Sequence, residues 1–156
     1  MTKMKRRAFL KGSMAGSVLA IAAGAGLLRP TQVMASQWPD KAFKARNLAD
    51  AVNSLYGSSD VADSKAIKIR APLQAENGAK VPIQILTDLP AESIAVFVKE
   101  NAMPLAGRAN LRNASGFFST RIKMGKSSDV VAVIKSKGKL HSTKLAIKVT
   151  VGGCGG

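Results

Sequence analysis

Residues 144–151 alternate without a break. Leu145, Ile147, Val149 and Val151 fall on one side, and Lys144, Ala146, Lys148 and Thr150 on the other. Period two is the geometry of an extended strand with one apolar face, and a slip of one residue would turn that whole face to water. The segment 140–151 is therefore expected as a strand held in fixed register against a core. Directly after it come Gly152, Gly153, Cys154, Gly155 and Gly156, which contain the only cysteine of the sequence. Glycine has no Cβ and reaches backbone conformations closed to other residues, so four of them around one thiol give a thin, mobile tether. If the strand is a fixed post ending at Val151, three fully extended residues carry the sulfur roughly 10 Å beyond the folded body.

The rest of the chain reads as further short strands separated by turns. Residues 66–71 alternate and Pro72 ends them, and residues 81–85 alternate again. Pro82 lies within that second run and lacks a backbone donor, which indicates an edge or a bulge. Residues 93–98 are apolar, and 116–124 and 129–135 carry further strand patterns. The sequence Ser136-Lys137-Gly138-Lys139 predicts a hairpin turn, and residues 76–79 a second turn. Polar or turn-forming residues make 58–64 and 100–105 loops. One helical pattern stands apart, residues 40–56, with Asp40 as N-cap, Phe43, Leu48, Val52, Leu55 and Tyr56 near one face, and Gly57 as the stop. This layout favours a mainly β protein, an antiparallel β-sandwich over residues 58–151 preceded by a short N-terminal helical segment, 36–57, and followed by the arm 152–156.

The first 35 residues carry a targeting signal and stand outside the fold. Arg6 and Arg7, within Lys5-Arg6-Arg7-Ala8-Phe9-Leu10-Lys11, match a twin-arginine export motif, and an uncharged run follows over residues 12–28. That run is short and carries four glycines, so it reads as a signal and not as a stable membrane anchor. Val33-Met34-Ala35 places small residues where signal peptidase cuts, with Ser36 first in the mature chain. The expected location is the periplasm, reached in a folded state. The formal charge is +15, from 24 Lys and Arg against 9 Asp and Glu. Six of those basic residues and none of the acidic ones lie in the first 35 positions, so residues 36–156 keep a net +9. Such an excess suits an anionic partner, and charge alone does not choose among nucleic acid, acidic lipid, acidic protein and a small oxyanion.

Export changes the meaning of Cys154. In an oxidising compartment most structural cysteines are paired, and a lone one cannot form an internal disulfide. Three uses remain: a working thiol, an intermolecular disulfide in a structural subunit, or capture of a soft metal such as Cu(I). The last lacks a second thiol, and residues 36–156 hold only Met103 and Met124 as thioether donors. His141 is the only histidine, and its parity in the last strand puts it with Leu145 and Ile147 on the apolar face. A Cys–His pair would need the arm to fold back along the strand. No Cys/His cluster, dinucleotide fingerprint or phosphate-binding loop is present in the sequence, so the only visible site is the tail. A free thiol titrates near 8.5; a basic surround favours thiolate, while the α-carboxylate two residues on opposes it.

The string Val149-Thr150-Val151-Gly152-Gly153-Cys154-Gly155-Gly156, together with the twin-arginine signal, resembles the SoxY family, the sulfur-carrier subunit of periplasmic thiosulfate oxidation. The stretch Pro72-Leu73-Gln74-Ala75-Glu76-Asn77-Gly78-Ala79-Lys80-Val81-Pro82 is similar to the same family. The resemblance implies an immunoglobulin-like sandwich, a heterodimer with a SoxZ-like subunit, and no cofactor beyond a sulfur intermediate bound covalently at Cys154. It implies a carrier and not an enzyme, with no nucleic-acid partner. A haem c-containing enzyme would conjugate thiosulfate to Cys154, a metal-dependent hydrolase would release sulfate, and a sulfane dehydrogenase would act in systems that have one. Gly152, Gly153, Gly155 and Gly156 would let the arm thread into each partner.

Overall fold

A computed structural model describes residues 38–150. The chain divides into two units, Met1–Trp38 and Pro39–Gly156, and every element below belongs to the second. Arg6, Arg7, the cleavage position and all five residues of the arm lie outside the described residues.

Two short helices open the unit, α1 (Asp40–Lys44) and α2 (Leu48–Tyr56), where the sequence pattern predicts one. Asn47 causes the break. Its backbone is extended and its side-chain oxygen accepts a hydrogen bond from the Asp50 N–H at 2.8 Å, which caps α2 at its first turn. Ala45 is likewise extended and stops α1. Gly57, with φ of 75°, closes α2 as expected, its N–H bonded to the Asn53 carbonyl at 2.7 Å.

Nine strands follow: β1 (Val61–Asp63), β2 (Ile67–Arg70), β3 (Gln74–Ala75), β4 (Val81–Thr87), β5 (Ala91–Val98), β6 (Leu105–Asn110), β7 (Phe117–Ile122), β8 (Ser128–Ser136) and β9 (Lys139–Val149). They form a large sheet in the order β1-β9-β8-β5-β6, with β3 also paired to β9, and a small sheet β2-β4-β7. The fold is the expected mainly β sandwich. Most pairings are antiparallel, and the exceptions are the short parallel contacts of β1 and β3 with β9. β8 and β9 are joined by the predicted hairpin. Lys137 and Gly138 both have positive φ, at 48° and 75°, as a two-residue turn between right-twisted strands requires.

Two cores explain the apolar runs. Ile67, Val81, Ile83 and Ile85 of the small sheet pack against Ile94, Val96, Val98, Val130, Ile134 and Ile147 of the large one. On the opposite face of the large sheet, Ala95, Phe97, Val133 and Leu140 pack against Ala42, Ala51 and Val52 of the helices. β5 and β8 are thus covered on both faces, which is why residues 93–98 read as a continuous apolar run and not as an alternation. Pro82 is exposed in β4 beyond Gln84, the last β4 residue paired to β2, so one flank of β4 is open where the donor is missing. No helix among the described residues is long and apolar enough to cross a membrane.

Candidate functional site

The predicted site begins where β9 ends, and the structure shows how that end is held. Ile147 is fully buried opposite Ser128, Leu145 and Val149 pack partly buried against the inter-sheet core, and Lys144, Ala146 and Lys148 are exposed. The alternation read from the sequence is the alternation of burial. The strand stops at Val149, two residues short of the expected Val151, because its neighbours stop there. β8 pairs only as far as Ile147, and β3 covers Lys148 and Val149.

Hydrogen bonds from both flanks fasten this end. The Val149 N–H donates to Ser127 Oγ at 2.9 Å on one side. On the other, the Lys148 N–H donates to the Leu73 carbonyl at 2.9 Å and the Thr150 N–H to the Ala75 carbonyl at 3.1 Å. The Thr150 hydroxyl also reaches the Ala75 carbonyl, at 3.4 Å. The fixed chain therefore runs through Thr150, and Cys154 is four positions beyond that anchor. Full extension over those four positions gives a reach of about 14 Å.

Three loops meet around the anchor. Residues 75–80 hold Thr150 through Ala75 and receive the Met124 N–H at the Gly78 carbonyl, 2.7 Å. Residues 99–104 are tied to residues 123–128 by Asn101, whose amide donates to the Lys123 carbonyl at 2.9 Å and whose carbonyl accepts from the Gly125 N–H at 3.0 Å. The Glu100 N–H donates to Ser128 Oγ at 3.0 Å, and the Lys99 N–H to the Asp129 carbonyl at 3.0 Å. No local sequence pattern announces this network. Asn101 looked like an ordinary turn former, and β3 is two residues long, so neither produces a periodic signal. In the loop at residues 101–105, Pro104 and Leu105 are buried and only Ala102 and Met103 stand exposed. In β7, Phe117 is half exposed, while Phe118 packs against the core.

His141 is not the core residue its parity suggested. It is half-buried and lines a pocket of about 330 Å³ with Tyr56, Asp60, Lys135 and Lys139, at the hairpin end of β9. The strand shifts its buried side along its length. Leu140 faces the helices, whereas Ile147 faces the small sheet. His141 lies nine positions before Thr150, about 30 Å along the chain direction of β9, and Cys154 is outside the described residues. Above this pocket Arg108 lies 5.9 Å from the centre of the Tyr56 ring, and Ser93 Oγ–H donates to the Tyr56 hydroxyl at 3.2 Å. Burial raises the Tyr56 pKa above its ordinary 10.0, against the opposing pull of Ser93 and Arg108. Among the described residues no three acidic, His or Cys side chains come together to hold a metal.

The sequence matches the family model described as "Sulfur oxidation protein SoxY" over residues 52–154, from the middle of α2 through the cysteine. The chain belongs to the SoxY family. A solved structure agrees: the sulfur carrier protein SoxY from Chlorobium limicola f. thiosulfatophilum is 36% identical, with a TM-score of 0.62, covering 72% of this chain and 99% of that one. A PKD domain of an M14-like peptidase from an archaeon of the Thermoplasmatales also matches, at 14% identity and a TM-score of 0.32, over 57% of this chain and 97% of that one. That second likeness is too remote to bear on function. No curated protein matches the sequence. As a SoxY-family protein the chain has a role in sulfur oxidation, as a carrier of sulfur.

Proposed function

We propose that this protein carries sulfur intermediates of thiosulfate oxidation as covalent adducts of Cys154 and presents them, on residues 151–156, to separate enzymes. The observation that carries this reading is the joining of a family match that runs through Cys154 to a strand end fastened from both flanks. A carrier thiol needs a fixed base, a reach and freedom from an internal partner. The base is Thr150, the reach is the glycine-flanked segment, and the chain has no second cysteine.

The chemistry divides between the carrier and its partners. In conjugation, the Cys154 thiol loses its proton and an S–S bond forms to the outer sulfur of thiosulfate. Two electrons leave to the haem of a c-type conjugating enzyme, and a cysteine S-thiosulfonate results. A metal-dependent hydrolase then adds water across the terminal S–S bond. Sulfate departs with the two protons, and a persulfide stays on Cys154 for a sulfane dehydrogenase in systems that have one. Each step requires a thiol that is unhindered and single, so that no neighbouring cysteine displaces the adduct as a disulfide. The protein contributes no metal, base or cofactor to these steps and is a substrate carrier, not a catalyst.

Export by the twin-arginine route through Arg6 and Arg7 places the carrier in the periplasm, and its folded passage accommodates a SoxZ-like subunit that lacks its own signal. The test is Cys154→Ser in a reconstituted thiosulfate-oxidising system. Activity is expected to vanish while the thermal melt stays as in the wild type; undiminished turnover would contradict the proposal.

A further inference from the structure

Resting on the carrier reading, we infer that the three loops around Thr150 form a docking platform for partner proteins whose arm-receiving cleft has a carboxylate-rich mouth. Arm length sets the first constraint. Cys154 lies within about 14 Å of Thr150, so an enzyme that brings the thiol to reacting atoms inside a cleft must press the mouth of that cleft against the residues encircling Thr150. A longer arm would free the partner from touching the body; this one does not.

Charge around the anchor sets the second. Lys80, Lys99, Lys123, Lys126 and Lys148 are all exposed in or beside these loops, against the carboxylates of Glu76, Glu100 and Asp129. Lys126 is held by Glu100 at 3.3 Å; the other four lysines make no ion pair with any described residue. Excess charge of one sign, gathered around the point of approach, raises encounter rates with a partner of the opposite sign and disfavours partners of the same sign. The loops are also held rigidly. Asn101, Ser127 and Ser128 bond the loops to one another and to β9, so these loops are tied to the end of β9. Half-exposed Met103 in the same cluster offers an adaptable apolar contact.

The experiment uses the mature carrier with its co-purifying subunit, added to the periplasmic fraction of a strain lacking the gene. Thiosulfate-dependent turnover is measured against carrier concentration. Lys99→Glu with Lys123→Glu is compared with Lys137→Glu and Lys139→Glu, an equal charge change at the hairpin end of β9. At about 0.01 M salt the loop pair is expected to lower kcat/KM about tenfold or more with kcat unchanged, and the gap should narrow at about 0.15 M. The hairpin pair should stay within about twofold of wild type, since screening confines exposed charges to roughly 10–30 Å over this salt range. The neutral pair Lys99→Gln and Lys123→Gln should give an intermediate loss. Melting temperature and the alkylation rate of Cys154 by iodoacetamide verify that fold and thiol are intact in each variant. Equal losses from both ends, or no loss from the loop pair, would overturn the docking surface while leaving the carrier reading in place. Retained turnover in Cys154→Ser would instead overturn the carrier reading.

Discussion

Deleting Gly152 and Gly153 together shortens the arm without touching the folded body, and the size of the effect follows from the anchor at Thr150. The Thr150 N–H is bonded to the Ala75 carbonyl at 3.1 Å, so the reach to Cys154 is counted from Thr150. Four links give a reach of about 14 Å, and two leave about 7 Å. The thiol is then withdrawn by about 7 Å from every partner's reacting atoms, where a displacement of about 1 Å already costs on the order of 100-fold in rate. Thiosulfate-dependent turnover is therefore expected to fall by at least about 100-fold. Alkylation by iodoacetamide, which needs no cleft, should proceed as in the wild type, and so should thermal unfolding, because every residue of the two cores is kept. Restoring two residues as Ala-Ala should recover most of the activity, since length and not glycine identity is the first requirement. A deletion variant that turns over within tenfold of wild type, a bound far above the expected loss, would refute the reach argument.

Smaller changes test the post and the helices. Ile147→Ala should destabilise the domain by about 2–5 kcal/mol in urea unfolding, as for other fully buried large-to-small changes, whereas exposed Lys148→Ala one residue away should stay within about 0.5 kcal/mol. Asn47→Ala removes the cap of α2 and should cost about 1 kcal/mol, and Asn47→Asp should recover only part of it, because a carboxylate oxygen would replace the amide group that now donates to the Asp50 carboxylate. Because Tyr56 is raised above 10.0 in the folded state, the fold keeps its proton where the unfolded chain loses it. Its contribution is full below pH about 10 and is lost as pH rises through the folded value. Tyr56→Phe should flatten the alkaline limb of a stability–pH curve, and an unchanged limb would assign the decline to other groups.

What the sequence disclosed followed from periodicity. β9, β8, β4 and β2 were legible because each presents a run with a definite buried side, and the Lys137-Gly138 turn because two positive φ values leave few residue choices. β6 was missed: Leu105–Asn110 is an edge strand with Gly107 and Arg108 in its middle, and it pairs with β5 across a register shift. β1 and β3 were missed because strands of three and two residues exist only through the β9 edge they lean on. The single-helix expectation failed at Asn47, whose capping bond competes locally with helix continuation. The parity argument misplaced His141, because a strand that serves two cores changes its buried side between Leu140 and Ile147. At the site, the thiol and its glycines were plain in the sequence. The contacts of Ser127, Ala75 and Asn101 that fix the arm's base are long-range hydrogen bonds to backbone, and no local pattern encodes them.

The measurement that tests the central claim most directly is intact-mass analysis of the mature protein taken from thiosulfate-grown cells, before and after mild reductant, with the modified peptide sequenced. The carrier account predicts a reductant-removable thiosulfonate or sulfane sulfur confined to Cys154, on a chain that begins near Ser36. An unmodified thiol, or a dimer linked through Cys154 as the sole derivative, would contradict it.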